Sequence, residues 1–321
     1  MGGGIAPTIT TPPVLAWTVE IGNTPTLTDP VYTGDPGTIT WTLYRDGVAD
    51  GTIANVSKAT AEAYAAVAGD IGPDLHFGAT VTNGTGSDSD VTNTVAFDDA
   101  TYLPNTAIGV STAGLTLADS DTTVDQWDAS LGGVSATLSA LTAANRPAYS
   151  TGGVGARPLA TFDGSTDYLV GTITKGSSFT TIEMGVVGQL GSNSGMAYAL
   201  NFGTGSNWIR RQDVSPNKIQ VRTLASATFA TSTSDVNSTP LHFSADSQGA
   251  NNVRAGGTVE ASTASGVTAQ GDGSTLALGA FAAGTTPCAM SAQAWYVGPA
   301  LTADQRTHLR ALLTYHTGVA C

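Results

Sequence analysis

Ala144-Asn-Arg-Pro-Ala-Tyr149 and, a few residues on, Gly155-Ala-Arg-Pro-Leu-Ala-Thr-Phe-Asp-Gly-Ser-Thr-Asp-Tyr-Leu169 form the stretch on which the fold reading turns. Leu159 and Thr161, alternating with Ala160 and Phe162, read as a short strand. Asp163-Gly164 supplies a turn, and Tyr168-Leu169 opens the next apolar pair. Outward from this stretch, runs of the same kind alternate with Gly-, Ser- and Asn-rich turns: Thr180 to Leu190, Met196 to Phe202, Lys218 to Leu224, Leu241 to Ala245, Ser274 to Phe281 and Ala289 to Val297. Such spacing suits a two-sheet jelly roll of about 220 residues. One helix interrupts the pattern. Thr302 can cap its start while Gln305 reaches back, Leu309, Leu312 and Leu313 form its apolar side, and Gly318 ends it.

Toward the N-terminus, residues 6 to about 98 read as a separate sandwich. Pro12-Pro13 opens it, and Thr38-Ile-Thr-Trp-Thr-Leu-Tyr44 alternates with period two before a turn at Arg45-Asp46-Gly47. Leu75 to Thr82 alternates again and ends at Asn83-Gly84, with Asp90 to Phe97 as its expected hairpin mate. Polar residues at Asp98-Asp99-Ala100 mark a boundary, which gives two domains, 1–98 and 99–321, each long enough to bury a core. The expected class is all-β with a short C-terminal helix.

Composition narrows the function. Only 12% of the 321 residues are charged, and 12 Lys and Arg against 25 Asp and Glu leave a net charge of −13. The basic residues are scattered, so recognition of nucleic acid through phosphates is not expected. The acidity reads as solubility and repulsion between copies. No apolar run approaches the roughly 20 residues of a membrane span. The N-terminal Met1-Gly-Gly-Gly-Ile-Ala-Pro7 lacks the basic and apolar regions of a signal peptide.

The stretch around Leu159 to Leu169 resembles the opening strands of concanavalin A-like lectin/glucanase (laminin G-like) domains, which are common in bacteriophage virion proteins and bacterial surface proteins. Ala294-Trp-Tyr-Val297, Leu301-Thr-Ala-Asp-Gln-Arg306 and Leu312-Leu-Thr-Tyr315 resemble the closing strand and helix of the same family. The N-terminal part resembles the immunoglobulin-like repeats of such proteins. Trp41 stands at the buried strand-C tryptophan, and Tyr64 through Asp70-Ile71-Gly72 to Asn83 makes the E to F passage; the inter-sheet cysteine pair is missing. What the resemblance implies is a tailed-phage virion surface protein, assembled in the host cytoplasm without a signal peptide. It would serve as a capsid decoration, minor capsid, collar or short-fibre component. Expected partners are other virion proteins of capsid or tail, copies of itself and a host-surface glycan. The alternative is a carbohydrate-binding adhesin or receptor-binding tail-tip protein. The fold hosts lectins, glucanases and inert modules alike, so side chains must decide.

Glycoside hydrolysis needs two carboxyl groups roughly 5 to 9.5 Å apart, and glucanases of this fold place them on one strand face at i and i+2, about 6.6–6.8 Å apart. No such series is found. The second domain holds only Glu183 and Glu260 as glutamates, far apart in sequence, and Asp119-x-Asp121 sits in a turn. The chain is therefore read as not an enzyme. Asp119, Asp121 and Asp125, with Asp128 beyond, form the densest acidic cluster and the candidate Ca²⁺ site, although they lack the glycine and terminal glutamate of an EF-hand loop. Asp163 and Asp167 read as turn formers. His76, His242, His308 and His316 show no ligand spacing.

Sugar binding would use an aromatic ring beside polar groups, and Trp208 with Asn207, Arg210 and Arg211 is the candidate. Trp208 reads either as a glycan platform or as a core residue; Trp127 and Trp295 read as core. Cys288 and Cys321 are too few for a disulfide framework. They can bridge within the chain, crosslink to a neighbour or stay free, and the intramolecular bridge, which needs Cα atoms within about 7 Å, is the expected state.

Overall fold

The structure, a computed structural model, describes residues 4–174, 179–191, 197–203, 207–212, 218–222, 230–233, 239–247, 251–255, 258–263, 274–281 and 285–321. The chain is all-β apart from the C-terminal helix and a few short helical turns. It divides into two compact units, Met1–Asp98 and Asp99–Cys321.

In the first unit, Thr38–Arg45 lies between Val48–Ala49 and Leu75–Asn83, and Gly86–Val91 completes an antiparallel sheet. Two further hairpin-like pairs, Thr8–Thr11 with Val31–Thr33 and Val14–Ala16 with Thr26–Thr28, stand outside that sheet. Period-two alternation turns Trp41, Leu43, Phe77 and Ala79 inward, where they meet Leu15 and Leu27. Two sequence expectations are corrected. The mate of Leu75–Asn83 begins earlier than expected: a turn at Gly84-Thr85 sends the chain straight back into Gly86–Val91, and the expected Asp90 to Phe97 continues the pairing through Thr92 and Val95. A short helix, Lys58–Glu62, was not foreseen; Ser57 caps it, accepting from the Thr60 N–H at 3.3 Å.

The second unit is a two-layer sandwich. Its first layer runs from Leu115–Ala118 through Thr123–Ala129, Ser135–Ser139, Leu169–Thr174, Thr275–Leu278, Ala197–Phe202 and Asn207–Arg211 to Ile219–Arg222. The second centres on Ala289–Gly298, flanked on one side by Leu159–Asp163 and Ala107–Val110. On its other side lies Glu183–Leu190, followed by Leu241–Asp246, Asn251–Ala255 and Thr258–Thr263. Trp127, Phe162, Phe202, Phe243 and Trp295 fill the space between the layers. The deciding stretch behaves as its sequence implies: after Leu159–Asp163, the Asp163 carboxylate accepts from the N–H groups of Ser165, Thr166 and Asp167 and closes the turn into Leu169–Thr174. Those bonds hold the Asp163 carboxyl well below the usual range although burial pushes it up.

The helix Ala303–Thr317 packs with Leu309, Leu312 and Leu313 buried. Thr302 and Gln305 form a reciprocal capping box, and Gly318 ends it in the left-handed region at φ 72°. A short helix, Asp99–Tyr102, precedes the sandwich; Tyr102 stacks on His308 at 4.4 Å between ring centroids, and Asp99 bonds the same histidine at 2.7 Å. Among the described residues no helix is long and apolar enough to cross a membrane.

Candidate functional site

Alternation within Asn207–Arg211 divides the sequence-predicted site between two faces. Ile209 belongs to the core between the layers; Asn207 and Arg211 share its parity and are buried. The Asn207 amide donates to the Phe202 carbonyl at 3.1 Å, which makes it a strand-end fastener. Trp208 and Arg210 occupy the other face, where the guanidinium carbon of Arg210 stands 4.2 Å from the Trp208 ring centroid. Trp208 is only 4% exposed. It is thus neither a bare platform nor part of the central core, but the underlayer of an arginine.

Register builds the rest of this face. Arg210 lies opposite Tyr198 on one neighbouring strand and Gln220 on the other, and Gln220 lies opposite Thr231. Arg210 Nε and Nη2 donate to Gln220 Oε1 at 3.0 and 2.8 Å, and Nη1 donates to the Tyr198 hydroxyl at 3.3 Å. Tyr198 meets Trp208 edge-on, centroids 5.7 Å apart, and packs on Phe281 at 4.7 Å. The result is a row of ring, guanidinium, amide and hydroxyl across four strands, set rigidly by its own hydrogen bonds. Tyr198, Gln220 and Thr231 were missed in the sequence, because only register brings residues so far apart into one line. A separate open groove of about 420 Å³ runs along the outer face of the other layer. There Thr161, Ser291 and Gln189 line up across three strands.

The acidic cluster is already held by an arginine. Arg146 bonds Asp125 at 2.7 Å and Asp119 at 3.1 Å, and Thr123 also donates to Asp119 at 2.7 Å. Asp119, Ser120 and Asp121 form a left-handed turn with φ between 52° and 62°. A cation would have to displace a guanidinium, and among the described residues no group of three or more His, Cys, Asp or Glu is placed to hold a metal. The expected Cys288–Cys321 bridge is likewise corrected: both thiols are free. Cys288 sits in the core between the layers, while Cys321 lies past the helix with its sulfur against the Val319 carbonyl at 3.3 Å. Burial pushes both thiols up to about 12.

A carboxylate pair does exist, across strands and not along one. Glu183 is the register partner of Asp246. Arg306, from the C-terminal helix, reaches Glu183 Oε2 at 2.9 Å and Asp246 Oδ2 at 3.9 Å, which ties both carboxylates into one ion-pair network. Both side chains are buried, Glu183 at 2% and Asp246 at 0% exposure, and Arg254 adds a bond to Asp246 at 2.7 Å. Burial raises the Glu183 carboxyl even though Arg306 pulls it down.

No protein-family model and no curated protein matches the chain. Solved structures similar to it include Trypanosoma rangeli sialidase in complex with 2,3-difluorosialic acid, at 10% identity and TM-score 0.44, covering 75% of this chain and 43% of that one. Another is domain 4 of a GH43 extracellular arabinanase from Geobacillus stearothermophilus in complex with arabinotriose, at 17% identity and TM-score 0.38, covering 64% of this chain and 98% of that domain. A third is the ligand-binding domain of botulinum neurotoxin serotype D in complex with N-acetylneuraminic acid, at 7% identity and TM-score 0.33, covering 76% and 51%. The chain thus spans less than half the length of the sialidase it matches. The expectation that the chain is not an enzyme does not stand: sialidases and one domain of a GH43 arabinanase are among the similar structures.

Proposed function

We propose that the second unit, residues 99–321, binds carbohydrate through the row Tyr198, Arg210, Gln220 and Thr231. The observation that carries this reading is Arg210, stacked on Trp208 and forked onto Gln220. Such a group offers directed polar contacts to sugar hydroxyls beside an aromatic ring that can take the apolar face of a pyranose. The sequence resemblance supports the wider setting: an immunoglobulin-like domain and a concanavalin A-like domain in an adhesive protein of a tailed-phage virion surface. Other virion proteins and copies of itself would be its neighbours there, and a host-surface glycan its ligand.

Binding of the full chain to a panel of host-surface glycans tests the site. Arg210→Gln and Tyr198→Ala are expected to weaken binding at least about tenfold, the effect of losing one charged hydrogen bond or a ring contact. Circular dichroism should stay unchanged. Gln189→Ala, in the separate groove, should bind as the unaltered chain does. Absence of glycan binding in the unaltered protein, or loss at Gln189→Ala with Arg210→Gln unaffected, overturns the assignment.

A further inference from the structure

Between the helix Ala303–Thr317 and the strand Leu241–Asp246 lies a small cavity lined by the apolar Leu309 and by Glu183, His242, Ser244, Arg254, Arg306 and Arg310. The cavity measures about 10 Å³, room for one atom-sized species and too little for a sugar or a phosphate. Two polar atoms of the lining residues, His242 Nδ1 and Ser244 Oγ, are fully buried without a hydrogen-bond partner, on side chains 3% and 1% exposed. Buried polar atoms are nearly always satisfied, so two unpaired ones beside one cavity point to an occupant.

Charge indicates its sign. Arg306 is matched by Glu183 at 2.9 Å, and Arg254 by Asp246 at 2.7 Å. Arg310 donates its Nε to the Arg306 carbonyl at 3.3 Å and has no acidic partner among the described residues, so the three arginines of the lining exceed the carboxylates Glu183 and Asp246 by one positive charge. His242 Nε2 meets the Tyr296 hydroxyl at 3.1 Å. In the tautomer in which the Tyr296 hydroxyl donates to Nε2, the ring proton sits on Nδ1. Ser244 can turn its hydroxyl hydrogen the same way.

We propose that this cavity is a binding site for a single small monovalent anion of the chloride class, held by His242 Nδ1–H, the Ser244 hydroxyl and the guanidinium of Arg310. The anion would fasten the C-terminal helix, which supplies Arg306 and Arg310, to the strands that supply His242, Ser244 and Arg254. The site is independent of the carbohydrate-binding row.

Thermal unfolding of the full chain in sodium chloride, against sodium gluconate at equal ionic strength, tests it. Binding to the native state alone should raise Tm by roughly 3–5 °C for each tenfold excess of chloride over its dissociation constant. Arg310→Gln and, separately, Ser244→Ala should reduce that rise while leaving Tm in gluconate nearly unchanged. Should Arg310→Gln fail to fold, crystals of the unaltered protein grown in sodium bromide provide the second measurement, with an anomalous peak expected between His242 Nδ1 and Ser244 Oγ. Equal Tm in chloride and gluconate, or a water in place of the bromide peak, overturns the proposal.

Discussion

Asp70 shows how one buried charge organises the first unit. It is fully buried, yet accepts from Arg45 Nε at 2.6 Å, the Tyr64 hydroxyl at 2.6 Å and the Val67 N–H at 2.9 Å. Arg45 also pairs with Asp50 and reaches Tyr64. Burial first, and the neighbouring Asp70 second, push the Tyr64 phenol up to about 12, so the ring stays a donor to Asp70 throughout the neutral range. Removing the carboxylate would leave the Tyr64 phenol and the Val67 N–H without their acceptor and take one of Arg45's two carboxylate partners away. Asp70→Ala is therefore expected to destabilise the unit by about 1–3 kcal/mol, the cost of leaving buried donors unsatisfied. Hydrogen exchange at the amides of Thr38–Arg45 would read this; unchanged protection there would show that the network contributes little.

At the scale of elements, legibility in the sequence followed locality. The C-terminal helix could be read from Thr302, Gln305 and Gly318 because caps act within one turn, and the structure places the helix between those residues. Thr302→Ala should cost about 1 kcal/mol through loss of the cap. Gly318→Ala should cost a similar amount by forcing a Cβ into the left-handed region. The two ends are far enough apart for the costs to add, which urea denaturation of both variants and their double would check. The strands around Trp41, Phe162 and Trp295 were legible for the same reason, since alternation is a two-residue signal. The polar row and the Glu183–Asp246 pair were not. Tyr198 with Gln220, and Glu183 with Asp246, become neighbours only through strand register, which no local pattern within Asn207–Arg211 or Glu183–Leu190 encodes. Composition shows the carboxylates of Asp119 to Asp125 together but not Arg146, which arrives from a later strand connection to pair with them.

Across the whole molecule, two compact units imply that stability need not follow one transition, and acid can separate them. His242 lies wholly inside the second unit, where burial first, and the nearby Arg310 and Arg254 after it, bring its imidazole down to about 4 from an ordinary 6.5. In the native state the ring stays neutral; once unfolded it binds a proton as soon as pH falls below about 6.5. The unfolded state then holds more protons, so stability rises with pH across this window, and is lost as pH falls from about 6.5 toward 4. The full difference corresponds to about 3 kcal/mol at the lower end. Glu183, raised by burial, acts with the opposite sign. A comparison that changes only the histidine isolates its share. In chloride-free buffer the second unit of the unaltered chain should lose stability between pH 7 and pH 4.5, and His242→Gln, which cannot protonate, should show a flatter profile over the same range. Calorimetric scans of both proteins across that interval decide the matter: parallel profiles would mean that His242 gains its proton in the native state as readily as in the unfolded chain.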